Sequence, residues 1–559
     1  MVTPMRVCLS VLMNALTRCR RRRTRRDRFG NLTRKSQVTA TQTLNTLYTH
    51  DLAGRVTQVT TPRATLIKYT RDAAGRVLTI KTRASGQGTD TTVISNVTYL
   101  PFGPVATLTY GNGKTLTRSF DQDYAIDAIV SNSSGGLNLD FTTNAVDNIT
   151  GLTVPGDGNV FDYDALNRLT AVRETNQTLI SGYAYDDTGN RLAKQVGSTV
   201  AYTYPSTSHR LTAVGGATRT YDAAGNTLTQ GNRTYVYNNA GRLIETSTSG
   251  VLQRQYLYNA RGERVRSYLT GATPQTLTVF DEAGHTLGEY SETGAAIREV
   301  VWLDDLPVAM LSGATATLAY LEPDHLGTPR TAIDPATATA IWKWNLLDDA
   351  FGEGAPQTDP DGNGTHFSQP LRFPGQYADT DTALNYNYFR DYEPGTGRYV
   401  QNDPAGISDG PSTYGYVHQS PLTGYDPLGL ANYRGFNPQR EADMRRAVDE
   451  AKRKLEECQT CDANGGNCEC FPDSKRKDRL IKKLNNTTFI YKPDLQYCGY
   501  IAPLNMMRGQ VQIGPPAFGA GCCSLAATLA HEVNHLLGSG ESSSYELEEK
   551  CFGCLGLPR

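Results

Sequence analysis

The sequence predicts a multidomain protein, in which a long β-rich array of short repeated strands is followed by a small α+β domain. Three observations carry that expectation. At 559 residues the chain is longer than one core ordinarily organises, so at least two units are expected. A phrase of the kind Tyr-Asp-x-x-Gly-Arg returns about every 20 residues between residue 26 and about residue 345. After Leu430 the repeats stop, charged helical periodicity begins, and nine of the eleven cysteines fall beyond residue 457.

Composition agrees with many strands and turns. Tyrosine (31) outnumbers phenylalanine (15), and glycine (53) is abundant. The net charge of −1 gives no argument for nucleic acid as the main partner. No apolar run is long enough to span a bilayer, and residues 5–17, mildly apolar and followed by arginines, do not make a classical signal peptide. Residues 1–25, with the arginine run from Arg18, read as a solvated, disordered basic arm.

Residues 26–345 carry the repeat. Asp51-Leu-Ala-Gly-Arg-Val, Asp72-Ala-Ala-Gly-Arg-Val, Tyr163-Asp-Ala-Leu-Asn-Arg-Leu and Tyr185-Asp-Asp-Thr-Gly-Asn-Arg-Leu are versions of one phrase. It continues at Tyr221, Tyr237, Tyr258 and Phe280. Tyr closes a strand, Asp-x-x-Gly makes a tight turn in which Gly accepts positive φ, and Arg-Leu or Arg-Val opens the return strand. The Asp and Arg are read as turn supports, not as catalytic groups. Each hairpin is too small to stand alone and must bury a face on its neighbours.

These phrases resemble the YD repeats of Rhs proteins, teneurins and Tc-toxin C components. That resemblance implies hairpins spiralling into a hollow β-cocoon, here expected to be a partial shell without the usual N-terminal PAAR or plug region.

The end of the repeat region from residue 320 and the expected core domain, residues 346–430, extend the resemblance. Tyr320-Leu-Glu-Pro-Asp-His-Leu-Gly-Thr-Pro-Arg330 is similar to the D-H-L-G-T-P-R signature of bacterial Rhs proteins. Arg372-Phe-Pro-Gly-Gln-Tyr377, Asn387-Tyr-Phe-Arg-Asp-Tyr392, Asp403-Pro404 and Tyr425-Asp-Pro-Leu-Gly-Leu430 follow the order of the Rhs-associated core. In that family the core end is an intramolecular aspartyl protease. Carried onto this chain, the resemblance implies Asp403 and Asp426 as the catalytic pair, a cut between Leu430 and Ala431, and Arg398 as an assisting charge. Two carboxylates held together can share a proton, one acting as base toward water and the other as acid. His325, without a visible partner in sequence, is read as structural.

Residues 431–559 read as the α+β domain. Asn437-Pro438 caps a first helix whose stripe is Met444, Val448, Ala451 and Leu455, and Ser474–Leu484 reads as a second, basic helix. Thr488–Lys492 and Gln510–Ile513 read as strands. The domain holds 17 Lys and Arg against 16 Asp and Glu, a balance that argues against a nucleic-acid enzyme. Its nine cysteines suit disulfides, with one thiol left over; a structural zinc on Cys458, Cys461, Cys468 and Cys470 is the alternative.

The strongest chemical motif is His531-Glu532-Val-Asn-His535-Leu-Leu-Gly-Ser-Gly-Glu541. On a helix the two imidazoles lie one turn apart and can hold one Zn²⁺ with Glu532 facing its water. Leu525, Leu529, Val533 and Leu536 supply a buried stripe, Ser524 a cap and Gly538 a stop. The spacing resembles the H-E-x-x-H-x-x-G-x-x-H pattern of metzincins with Glu541 in the last ligand position, while the Met-turn of that clan is absent. Glu548 is the alternative third ligand, and Tyr545 is a candidate oxyanion stabiliser. By analogy with zincins, Gln510–Ile513 is placed to bind substrate as an added strand.

The expectation is therefore an Rhs-type toxin whose zincin-like zinc metallopeptidase domain is freed by self-cleavage and acts on proteins of a target cell. Family resemblance implies delivery by a type VI-like secretion system, a spike or adaptor partner and a cognate immunity protein. Two alternatives stay open. One is a YD-repeat surface adhesion scaffold with a non-peptidase tip, and the other is a zinc amidase acting on peptidoglycan.

Overall fold

The computed structural model describes residues 22–430, except 40–41, 102–103, 123, 270–271, 348, 405 and 410. Beyond 430 it describes 433–434, 451, 479–480, 488–491, 499–500, 510–513 and 533. No helix among the described residues is long and apolar enough to cross a membrane.

From Arg22–Arg26 to Ala340–Lys343 the chain forms an antiparallel meander of 31 strands. Alternation drives it: in Thr43–His50 the side chains of Leu44, Thr46 and Tyr48 are buried while Leu47 and Thr49 face out, the period of two that a strand imposes. The first strand corrects the expected arm. Arg22–Arg26 pairs with Leu32–Val38, and Asp27-Arg-Phe-Gly30 makes a turn of the repeat type between them. The arginine run conceals this first hairpin, because charge alone does not oppose an exposed strand.

One turn geometry recurs. Asp51 Oδ1 accepts the N–H groups of Ala53 and Arg55, each at 2.9 Å, and Arg55 Nε donates to Asp51 Oδ2 at 2.7 Å. Gly54 takes φ +76°, a conformation that only Gly adopts without strain. At the equivalent position of the Asp164 turn, Asn167 does so at φ +61°, as Asn tolerates best among side chains with a Cβ.

The repeat tyrosine joins one hairpin to the previous one. Tyr163 donates its hydroxyl to the Ile149 carbonyl, Tyr185 to Leu169 and Tyr258 to Leu243, each at 2.7 Å. The preceding arginine lies over the same ring, as with Arg168 over Tyr185 at 5.0 Å. Asp, Arg and Tyr thus interlock successive hairpins.

Early and late strands of the sheet also share one core. One apolar cluster contains Ile67, Leu108, Ile129 and Leu152 together with Val301, Val308, Ala309 and Ile333 from the last strands of the meander. A parallel bridge between Ser134 and Thr339 fastens the same seam. Against residues 219–264 packs the core end, where Glu393 receives Arg219 in two parallel bonds of 2.7 and 2.9 Å.

A second, five-stranded sheet begins in the core end. Its order is Gly424–Tyr425, Tyr433–Arg434, Thr488–Tyr491, Gln510–Ile513, Gly499–Tyr500. The two strands expected in the C-terminal segment are present and pair in parallel. Gln510–Ile513 is flanked on both sides, however, so the expectation that it accepts a substrate strand is corrected: its neighbours already occupy both edges at Gln512 and Ile513. Ala451, Arg479, Leu480 and Val533 are helical, each within a segment expected to be a helix, and Ala451, Leu480 and Val533 are buried.

Candidate functional site

The core end folds around a buried arginine. Strand Arg390–Glu393 projects Arg390 inward, and its guanidinium lies 3.7 Å over the Tyr399 ring. Arg390 Nη2 meets Asp403 Oδ2 at 2.9 Å and Asp426 Oδ2 at 3.2 Å. The two aspartates are 23 residues apart in sequence, yet both carboxylates reach one nitrogen. All three side chains are buried.

Each remaining contact holds the Asp426 segment in place. Tyr399 donates its hydroxyl to Asp426 Oδ2 at 2.8 Å. Burial, with the Asp426 charge beside it, keeps the Tyr399 phenol well above its ordinary pKa, so it remains a donor. Asn387 Nδ2 donates to the Asp426 carbonyl at 2.8 Å, the Phe389 N–H to the Leu428 carbonyl at 3.0 Å, and Arg390 Nε to the Gly429 carbonyl at 2.6 Å. Asp426 Oδ1 accepts the Leu430 N–H at 3.0 Å. The carboxylate therefore touches the residue that supplies the carbonyl of the expected cut.

Two glycines make room for this path. A Cβ on Gly375 would stand 1.9 Å from the Pro427 carbonyl oxygen, and one on Gly429 would stand 2.6 Å from the Asn387 carbonyl oxygen. The phrases Arg372-Phe-Pro-Gly-Gln and Asp426-Pro-Leu-Gly-Leu are thus two sides of one close backbone approach. Leu430 sits in the connection between strands Gly424–Tyr425 and Tyr433–Arg434, which pair Tyr425 with Tyr433.

Asp403 and Asp426 are brought together as the sequence resemblance implies. Arg398 is not beside them: its Nη1 reaches the Tyr204 hydroxyl and its Nη2 the His209 carbonyl at 2.6 Å. The cation beside them is Arg390, and the reason is strand alternation, which turns Arg390 to the Asp426 side and Arg398 toward the meander. Asn387 and Arg390 lie within the core phrase Asn387–Tyr392, but neither they nor Tyr399 were given a role from the sequence.

A second buried arginine also lies between two aspartates. Arg264 Nη1 lies 3.5 Å from Asp379 and 3.8 Å from Asp391. Asp391 is held by Gln401 at 2.7 Å and Asp379 by the Tyr256 hydroxyl at 2.5 Å. The bond expected to be cut is followed from Asp426, not from this pair.

His325, read as structural, does have a partner. Its Nε2 lies 2.7 Å from the Leu422 carbonyl oxygen. Its turn, Asp324-His-Leu-Gly327-Thr328, is the repeat turn again: Asp324 Oδ1 accepts Leu326 and Thr328 N–H, and Arg330 Nε donates to Oδ2 at 2.7 Å. The D-H-L-G-T-P-R signature is thus a copy of the repeat phrase that is buried at every residue but His325, which is half-buried.

His531, Glu532, His535, Glu541, Tyr545 and Glu548 lie outside the described residues, as does Ala431. Among the described residues no group of three His, Cys, Asp or Glu side chains is arranged to hold a metal ion.

Residues 137–410 match the family model of the teneurin YD-shell. This segment is thus similar in sequence to a YD shell. The double-stranded DNA deaminase toxin A of Burkholderia cenocepacia is 28% identical over 319 residues, covering 50% of this chain and 21% of that protein. The probable deoxyribonuclease RhsB of Dickeya dadantii is 27% identical over 323 residues, covering 50% and 21%. Toxin protein Tse5 of Pseudomonas aeruginosa is 38% identical over 115 residues, covering 21% and 8%. The chain thus spans about a fifth or less of the length of these relatives.

In fold, the crystal structure of TcdB2-TccC3 without its hypervariable C-terminal region superposes with a TM-score of 0.61 at 18% identity, over 72% of this chain and 23% of that one. The sequence matches are thus to proteins named as toxins, and the superposition shows a shared fold.

Proposed function

We propose that this chain is the shell end of an Rhs-type toxin that cuts itself between Leu430 and Ala431 and frees residues 431–559 as a zinc metallopeptidase. The observation that carries the cleavage reading is the convergence of Asp403 and Asp426 on Arg390, with Asp426 also bonded to the Leu430 N–H. One carboxylate takes a proton from water, whose oxygen attacks the Leu430 carbonyl carbon. The other delivers a proton to the Ala431 nitrogen as the C–N bond breaks, leaving a carboxyl group on Leu430 and a free amine on Ala431. Arg390 and Tyr399 orient the pair.

For the released domain, His531, His535 and Glu541 form a donor set of two imidazoles and a carboxylate, the kind that suits a hydrolytic zinc with one open position. Val533, helical and fully buried, accords with the apolar stripe the motif needs opposite its histidines. Zn²⁺, when bound, would supply Lewis acidity toward water and the scissile carbonyl. Glu532 accepts the proton of the attacking water, and Tyr545 is placed in the sequence to assist the oxyanion. The substrate is a protein of the target cell, the route type VI-like delivery with a spike or adaptor, and the partner an immunity protein.

The test is expression of the full chain beside Asp426→Asn and Glu532→Ala. Intact mass and N-terminal sequencing should find a fragment beginning at Ala431 in all but Asp426→Asn. The fragment should bind zinc and digest casein, and Glu532→Ala should abolish digestion. A second reading, a toxin acting on nucleic acid, is favoured by the names of the deaminase and deoxyribonuclease relatives. Degradation or deamination of DNA by the fragment, with casein untouched, would select it.

A further inference from the structure

We infer that His325 is a positioning residue for the cut after Leu430: its imidazole ties the last signature turn of the meander to the backbone that carries Asp426. This rests on the self-cleavage reading above. The bond from Nε2 to the Leu422 carbonyl oxygen is 2.7 Å and joins residues 97 apart in sequence. Leu422 is buried and lies four residues before Asp426, separated from it by the strand Gly424–Tyr425.

The anchor on the other side is stiff. Asp324 is fully buried and accepts two N–H groups of its own turn, Arg330 fastens it from behind, and Arg118 Nη2 donates to the Pro323 and Asp324 carbonyls at 2.9 and 3.0 Å. Phe141 packs edge-on against the imidazole at 4.8 Å. His325 therefore has little freedom to follow Leu422 if that segment moves.

The chemistry selects one tautomer. A carbonyl oxygen accepts, so Nε2 carries the hydrogen; Nδ1 is closed off and has no hydrogen-bond partner among the described residues. Burial lowers the His325 pKa, against the Asp324 charge and the Leu422 carbonyl, in keeping with a neutral ring. Downstream of Asp426 the segment is held by Asn387, Phe389 and Arg390. His325 holds it upstream, from a different part of the chain. A carboxylate that must meet Arg390, Tyr399 and the Leu430 N–H together tolerates little displacement, since a hydrogen bond weakens steeply within a few tenths of an ångström.

The experiment compares rates of fragment release from the full chain for wild type, Asp426→Asn, His325→Phe and His325→Gln, with a thermal melt of each. His325→Phe keeps the ring volume and removes the donor; His325→Gln restores an N–H near the Nε2 position. We expect His325→Phe to slow release by about tenfold or more and His325→Gln to stay within about threefold of wild type. Release from His325→Phe at the wild-type rate overturns the inference while leaving the cleavage reading intact. Equal slowing in both variants also overturns it, because packing alone then explains the residue. Cleavage persisting in Asp426→Asn sinks the underlying reading instead. Should His325→Phe fold poorly, ¹⁵N shifts of histidine-labelled Asp426→Asn chain decide the matter: a neutral ring protonated at Nε2 is expected, and protonation at Nδ1 alone overturns the proposal.

Discussion

The Asp51 turn and the core end both pair aspartate with arginine, and they differ in how far along the chain the partners lie. In the turn, one carboxylate accepts two backbone N–H groups and one guanidinium, all from within five residues. In the core end, two carboxylates from distant positions share a single guanidinium nitrogen, in a site closed to solvent. A carboxylate satisfied within its own turn shapes the backbone. Two carboxylates gathered from distant positions beside a peptide bond are what the proposed cut requires.

The contrast is tested most severely by removing one acid from each place. Asp403→Asn should reduce release of the fragment beginning at Ala431 on the order of a thousandfold or more, as loss of one member of a catalytic pair does, while Asp51→Asn should leave the rate within about twofold. Equal effects would erase the distinction. Next come the arginines. Arg390→Leu leaves two buried carboxylates without their cation and should cost about 3–5 kcal/mol in urea denaturation; Arg55→Leu, at an exposed pair, should leave the unfolding midpoint within error.

The tyrosines sharpen the same comparison at smaller scale. Tyr399→Phe removes a hydrogen bond to a buried carboxylate and should cost about 2 kcal/mol, whereas Tyr163→Phe removes one to a neutral carbonyl and should cost about 1 kcal/mol. A reversed order would mean that the Asp426 cluster is not a tightly held unit.

The last prediction concerns pH. Glu322, on the seam of the meander, accepts the Leu137 N–H at 2.7 Å and the Ser131 hydroxyl. Burial pushes its pKa from 4.5 up to about 7, against those hydrogen bonds. A raised folded-state value means that this stability is complete below about pH 4.5 and is lost as pH rises through about 7. The turn residue Asp186 behaves oppositely: burial opposes ionisation, but bonds from Asn190 and Thr188 pull its pKa below the ordinary value, so its contribution is lost as pH falls. Melting temperature should therefore decline between pH 5 and 8 in wild type and decline less in Glu322→Gln; an unchanged slope would remove Glu322 as the cause.

How legible each part was follows from the distance over which its contacts run. The repeat turn was readable because Asp51, Gly54 and Arg55 satisfy one another within five residues. The hairpin at Asp27 escaped because arginines on an exposed strand look like a solvated arm. Asp403 and Asp426 were placed by resemblance to a known core, and the structure joins them. Arg390 was missed in favour of Arg398, since both lie in polar-aromatic phrases and only strand alternation distinguishes them. His325 had no visible partner because Leu422 presents a backbone carbonyl, which any residue carries.

Local order, then, was written into the residues themselves: the period of two along strands, the Asx turns and the glycines with positive φ. Which arginine meets the two acids, which histidine reaches the Leu422 carbonyl, and which strands share the core of the meander were decided only in three dimensions. The physical reason is that a turn is satisfied by neighbours along the chain, whereas a buried charge is satisfied by whichever groups the packed sheets bring within about 3 Å of it.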